Sequence, residues 1–225
     1  MISSGDVRRL VHPFLMRLWL RRAKNKELVT RIGGFRLKVL PSVFHPRFFG
    51  SSLIFAEYLA SLGIAGKRFL DMGTGSGIVG LFAARAGALV IAVDINPKAV
   101  QCAAENAATA GLALDCRRGD LFDSIGNEKF DIIAWNPPFF PRTVTTPAEA
   151  ALYAGDNHEV VRRFARDVDG RLAPGGRVFL VLSMDLDFNV WNSMFDNRLS
   201  IRMKRRWGWE TMAVVEMACP SLRSV

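Results

Sequence analysis

The chain has few of the residues that build covalent or metal scaffolds. Its three cysteines, Cys102, Cys116 and Cys219, are odd in number and form no Cys-x-x-Cys pair. That excludes a disulfide framework or a cysteine zinc site and suits a reducing cytoplasm. The three histidines, His12, His45 and His158, stand apart without ligand spacing, so no metal is expected. No apolar stretch approaches the roughly eighteen uncharged residues of a membrane span. The N-terminal residues lack an apolar segment followed by a small-residue cleavage site, so no secretory signal is expected. Low complexity and internal repeats are also missing. Half of the 225 residues are apolar, 23% are charged and sixteen are Phe. Such a chain can bury a substantial core, enough for one domain with a short extension.

Charge is unevenly spread. Residues 1–50 hold eleven Lys and Arg against two acids, whereas residues 51–225 hold nineteen of each, so the net +9 lies in the N-terminal part. Apolar residues at Val7, Leu10, Val11, Phe14, Leu15 and Leu18 have helical spacing, with most of the arginines off the stripe. Leu28–Val39 alternates around Gly33-Gly34 and predicts a hairpin. Residues 1–45 therefore read as a basic extension of helix plus hairpin, and residues 46–225 as the main domain. The arm suits a polyanion such as RNA, and Arg198, Arg202, Lys204, Arg205 and Arg206 could extend its surface, with Trp207 and Trp209 for stacking. The simpler reading has the arm packed on the domain with its charges solvated.

From Ser51 onward short β-branched runs alternate with helical stretches. Strands are expected at Arg68–Met72, Leu89–Ile95, Leu114–Arg118, Phe130–Trp135 and Arg177–Ser183. Helices are expected at Ser51–Leu62, with Ser51 or Ser52 as its cap, and at Gly77–Ala86, Pro97–Ala110 and Asn157–Leu172. Leu199–Met217 reads as two strands joined near Trp207-Gly208-Trp209. The alternation predicts an α/β fold, a doubly wound and mostly parallel sheet covered on both faces.

Three strand ends carry chemistry. Asp71-Met72-Gly73-Thr74-Gly75-Ser76-Gly77 joins a strand to a helix, and its glycines let the backbone turn sharply beside a ligand. Asp94 ends the next strand, where an acid can accept hydrogen bonds from ribose hydroxyls or cap the following helix. Asp120 and Leu121 follow the third. Together they outline a nucleoside pocket. The fourth feature is Asn136-Pro137-Pro138-Phe139. The Asn136 amide oxygen and the Pro137 carbonyl are two convergent acceptors for a substrate –NH2, holding its delocalised lone pair in line with an electrophile. Phe139 or Phe140 can stack on a flat substrate. Cys102 and Cys116 read as core thiols rather than nucleophiles.

These residues resemble a class I S-adenosylmethionine-dependent methyltransferase, and within that class the small-methyltransferase group, which methylates planar amide or exocyclic amino nitrogens. The resemblance covers about residues 41–219 and implies a Rossmann-like, seven-stranded sheet with an antiparallel final strand. It implies S-adenosyl-L-methionine as cofactor, with Gly73, Gly75 and Gly77 passing its methionine part and Asp71 near the amino group. Asp94 would hold the ribose, and Asp120 and Leu121 would contact the adenine. Asn136 and Pro137 would grip the acceptor nitrogen and Phe139 pack on its plane. His45-Pro46-Arg47 and Ala151-Leu152-Tyr153-Ala154-Gly155-Asp156 are similar to segments of the glutamine N5-methyltransferases that modify release factors, which makes a protein glutamine the expected acceptor. The alternative is an RNA or DNA base, at adenine N6 or guanine N2. A nicotinamide-dependent oxidoreductase would account for the glycines and Asp94 but would leave Asn136–Phe139 without a role.

Overall fold

A computed structural model describes residues 26–46, 50–146, 149–208 and 210–219. The amphipathic stretch expected at residues 7–19 lies outside the described residues, as does Trp209. The hairpin is present as β1 (Leu28–Ile32) and β2 (Phe35–Val39), paired antiparallel. Seven further strands form one sheet: β3 (Arg68–Met72), β4 (Leu89–Asp94), β5 (Leu114–Arg118), β6 (Phe130–Trp135), β7 (Leu172–Ser183), β8 (Leu199–Trp207) and β9 (Glu210–Met217). Their order is β5-β4-β3-β6-β7-β9-β8. β3 to β7 run parallel, and β9 is antiparallel to both β7 and β8.

The order reverses between β3 and β6. Chain leaving β3 winds outward through β4 and β5, then returns to the other side at β6. Such a switch point opens a crevice at the carboxyl ends of the strands.

Helices α1 (Ser51–Ala60), α2 (Ile78–Arg85), α3 (Pro97–Ala110), α4 (Glu159–Asp167) and α5 (Phe188–Met194) connect the strands. Side-chain alternation along each strand feeds two cores. Leu70, Met72, Ile133, Trp135, Leu180 and Leu182 join Phe164 and Trp191 on one face. Phe69, Ile132, Ala134, Phe179 and Val181 join Ile54, Phe55, Leu81 and Phe82 on the other. This is the pattern of buried strands with helices on both faces.

The hairpin belongs to the second core, because Ile32, Phe35 and Leu37 pack with Phe82. It is also tied to α3 by Asn106, whose Oδ1 accepts from the Lys38 amide and whose Nδ2 donates to the Lys38 and Ser76 carbonyls.

Four local expectations differ from the structure. Ser51 and Ser52 do not cap α1; Gly50 occupies that position at φ 61°, and the two serines lie in the first turn. The helix expected at Asn157–Leu172 ends at Asp167, followed by a 3₁₀ turn over Asp169–Arg171, where Gly170 disfavours continuation. The strand expected at Arg177–Ser183 begins at Leu172 instead, so Pro174-Gly175-Gly176 forms an irregularity inside β7, between the pairs Phe130–Leu172 and Ile132–Arg177. Helix α5 was not anticipated, although Asp187 caps it by accepting from Asn189 and Val190 amides, a start signal that is visible in sequence.

Candidate active site

The turn from β3 into α2 is held from below. Asp71, 3% exposed, accepts from Thr74 Oγ1 at 2.7 Å and from the Gly80 amide at 2.9 Å, both on Oδ2. Burial pushes its carboxyl up to about 7, against the pull of those two hydrogen bonds. Asp94 secures the turn from the side. Its Oδ2 accepts from the Gly75 amide and its Oδ1 from the Asn96 amide, each at 2.9 Å, while burial raises its pKa. Asn96 rather than Asp94 caps α3, taking the Lys98 amide on Oδ1 and donating to the Ser42 carbonyl.

A cavity of about 310 Å³ opens over this turn, within the range of roughly 300–1,000 Å³ typical of small-molecule sites. Its wall includes Gly73, Gly75, Asp94, Asp120, Leu121 and Asn136. Asp71 and Gly77 do not line it. Asp71 works beneath the turn. Gly77 has φ 85°, and a Cβ there would stand 3.0 Å from Ala103 Cα, so its glycine lets α2 approach α3 closely. Asp120 is ion-paired with Arg163 Nη1 at 2.9 Å.

Asn136 also lines a smaller recess of about 40 Å³, shared with Pro137, Phe139, Phe140, Ser51, Glu210 and Met212 among others. Its Nδ2 donates to Ser52 Oγ at 3.0 Å and to Ser51 Oγ at 3.3 Å. The amide oxygen is thereby the group left to accept from a ligand. Phe139 meets Phe140 and Trp191 edge to face, at 6.4 and 6.2 Å between ring centroids. The segment after the prolines is stitched to residues 152–155, with the Phe140 amide donating to the Leu152 carbonyl and the Ala154 amide to the Phe140 carbonyl. That segment closes the wall shared by both spaces.

Sequence reasoning missed several wall residues: Ser42 to Phe44, Glu159 and Arg163 in the cavity, and Glu210 and Met212 in the recess. None has a local motif. They arrive from the hairpin exit, from α4 and from β9. Of the expected basic patch, Arg198 pairs with Asp169, Arg202 with Glu216 and Arg205 with Glu57. Those three charges are largely met within the domain. Cys102 is buried and donates to the Lys38 carbonyl, and burial lifts both its thiol and that of Cys116 to about 11. Neither is a thiolate near neutrality.

The residues fit S-adenosylmethionine: a buried acid that ends β4, an apolar cleft of suitable size and a tight turn at the strand switch. Comparison with known proteins agrees. The model of the methyltransferase small domain matches residues 34–206. A Methanocaldococcus jannaschii protein, provisionally named a protein N5-glutamine methyltransferase, is 31% identical over 162 residues, covering 69% of this chain and 80% of that one. The release factor glutamine methyltransferase of Deinococcus radiodurans is 38% identical over 126 residues, 51% of this chain and 45% of the relative. Thus the chain spans less than half of that bacterial protein. Among solved structures, the T. thermophilus 16S rRNA N2 G1207 methyltransferase in complex with AdoMet and guanosine superposes with TM-score 0.63 at 23% identity, over 87% of this chain and 50% of that one. The chain belongs to the methyltransferase small domain family, among the class I S-adenosylmethionine-dependent N-methyltransferases.

Proposed function

We propose that this enzyme methylates the side-chain amide nitrogen of a protein glutamine. The observation that carries the reading is that Asn136 forms part of both the large cavity and the small recess, with its amide hydrogens already committed to Ser51 and Ser52. Its oxygen therefore stands where donor and acceptor meet.

Bound S-adenosylmethionine supplies an electrophilic methyl group. Asp94 holds the ribose, Asp120 and Leu121 receive the adenine, and Gly73 and Gly75 let the methionine part pass close to the backbone. Gly77 and Asp71 act through the shape of the turn. Asn136 Oδ1 and the Pro137 carbonyl accept the two hydrogens of the acceptor amide, which keeps its lone pair directed at the cavity and favours pyramidal nitrogen. Phe139 packs on the carboxamide plane. Among the described recess residues, Glu210 is the carboxylate able to take the proton that the methylated nitrogen sheds.

The narrow, mostly apolar recess suits a carboxamide of three heavy atoms better than a purine. A second reading, an amino group of an RNA base, is favoured by the basic residues preceding the hairpin. We assign those residues to substrate docking and the chain from the hairpin onward to the catalytic domain. No helix among the described residues is long and apolar enough to cross a membrane, and we place the enzyme with its substrates in the cytoplasm.

The test is transfer of labelled methyl from S-adenosylmethionine into a size-separated extract of cells lacking this protein, with and without RNase. Label in a protease-sensitive, RNase-resistant band supports the glutamine reading. Label lost on RNase treatment makes the acceptor an RNA base.

A further inference from the structure

Trp135 ends β6, paired with Met72 of β3 and directly before Asn136. It is 3% exposed. Its ring is wedged against Phe164 at 4.2 Å between centroids, and Phe164 is itself fixed by Phe122 and Phe195. The indole is therefore held in one orientation. That orientation brings Nε1 beside the glycine turn, 3.5 Å from where a Cβ on Gly73 would stand, and Trp135 forms part of the cavity wall.

An indole N–H can only donate, and one on a fixed ring in a cavity wall takes its acceptor from a ligand when the protein offers none. Among the described residues none accepts this hydrogen. The site is thus built with a fixed, unspent donor next to Gly73.

We propose that Trp135 is a cofactor-binding residue whose Nε1–H donates to the methionyl carboxylate of S-adenosylmethionine. The inference rests on the methyl-donor reading of the cavity and adds a contact to it. Of the polar groups on the methionyl part, the ammonium donates and the sulfonium accepts no hydrogen, so the carboxylate is the acceptor that can satisfy the indole. The carboxylate also has few other partners. Arg163 is the one basic residue among the described cavity residues, and it is committed to Asp120.

The test compares two ligands on the full chain by calorimetry: S-adenosylmethionine, and 5′-methylthioadenosine, which lacks the amino-acid part. Trp135→Phe keeps the ring against Phe164 and removes only the donor. The expected result is about tenfold weaker binding of S-adenosylmethionine, the scale of one hydrogen bond to a charged group, with methylthioadenosine unchanged. Equal weakening of both ligands, or of neither, overturns the proposal. A second measurement uses the unaltered chain with ¹⁵N-labelled tryptophan. The indole signal missing from Trp135→Phe should shift with S-adenosylmethionine and not with methylthioadenosine, and failure to shift overturns it as well. If the unaltered chain binds neither ligand, the methyl-donor reading falls first and this inference with it.

Discussion

Asn136 and Ser52 are eighty-four residues apart in sequence and joined by a hydrogen bond of 3.0 Å, with Nδ2 donating to the serine hydroxyl. Ser51 receives the second, longer bond from the same amide group. The amide is thereby oriented by α1, a helix whose first turn faces the carboxyl end of β6. This explains why neither serine caps its own helix.

Replacing Asn136 by Ala should cut turnover by about 100-fold or more, the scale of removing one preorganised polar group, while cofactor affinity stays within about twofold. Calorimetry of the variant with S-adenosylmethionine checks the second half. Loss of cofactor binding would show that Asn136 serves the cavity rather than the acceptor.

Ser52→Ala frees one hydrogen of the Asn136 amide and lets the group rotate. Turnover should fall by roughly tenfold, about the net value of one hydrogen bond, with the apparent affinity for the methyl donor unchanged. Steady-state kinetics on the acceptor identified by labelling gives the split. A change confined to the donor's KM would contradict an orienting role.

Asp71 makes a pH-dependent contribution of definite sign. Its pKa is raised on folding from 3.8 to about 7, so the folded chain binds this proton more tightly than the unfolded one. Its contribution is fully present below the unfolded value and is lost as pH rises through about 7. Asp71→Asn retains an oxygen for Thr74 and Gly80 but does not ionise. The difference in Tm between variant and unaltered chain should therefore move in the variant's favour from about pH 5 to about pH 8.5. A difference that stays constant with pH means that Asp71 does not titrate in this window.

Asn106 is 1% exposed and joins the hairpin to the glycine turn through Lys38 and Ser76. Asn106→Ala strands buried backbone groups and should cost about 2–4 kcal/mol, read from the denaturant midpoint at unchanged m-value. A loss below about 0.5 kcal/mol would mean that water replaces the amide.

Deleting residues 1–25 removes six Lys and Arg against one acid. If these residues dock RNA, the deletion weakens RNA binding and flattens the dependence of log affinity on log salt concentration. An unchanged slope in filter-binding titrations at several salt concentrations returns them to packing.

Much of the scaffold was legible because its signals are local. β3, β5, β6 and α3 lie at the residues that periodicity and punctuation indicate, and the hairpin turns at Gly33-Gly34 as alternation requires. The misplacements fall where a distant partner overrides local preference. Ser51 and Ser52 are good caps by type, yet Asn136 takes their hydroxyls. Pro174-Gly175-Gly176 reads as a break, yet pairing with β6 carries the strand through it.

The sequence by itself determined the chemistry: a glycine turn after one strand, acids after the next two, and two prolines behind an asparagine after the fourth. It also determined the fold class, since alternating periods of two and 3.6 leave few ways to bury both faces of the strands. Tertiary structure decided which of these groups meet. The register that sets Met72 beside Trp135 brings Gly73 and Asn136, sixty-three residues apart, to one edge of the sheet. The same sheet order carries Met212 and Glu210 of β9 to the recess and leaves Asp71 under the turn rather than on its open side. No spacing rule contains these facts, because register and strand order depend on which apolar faces pack together across the whole chain.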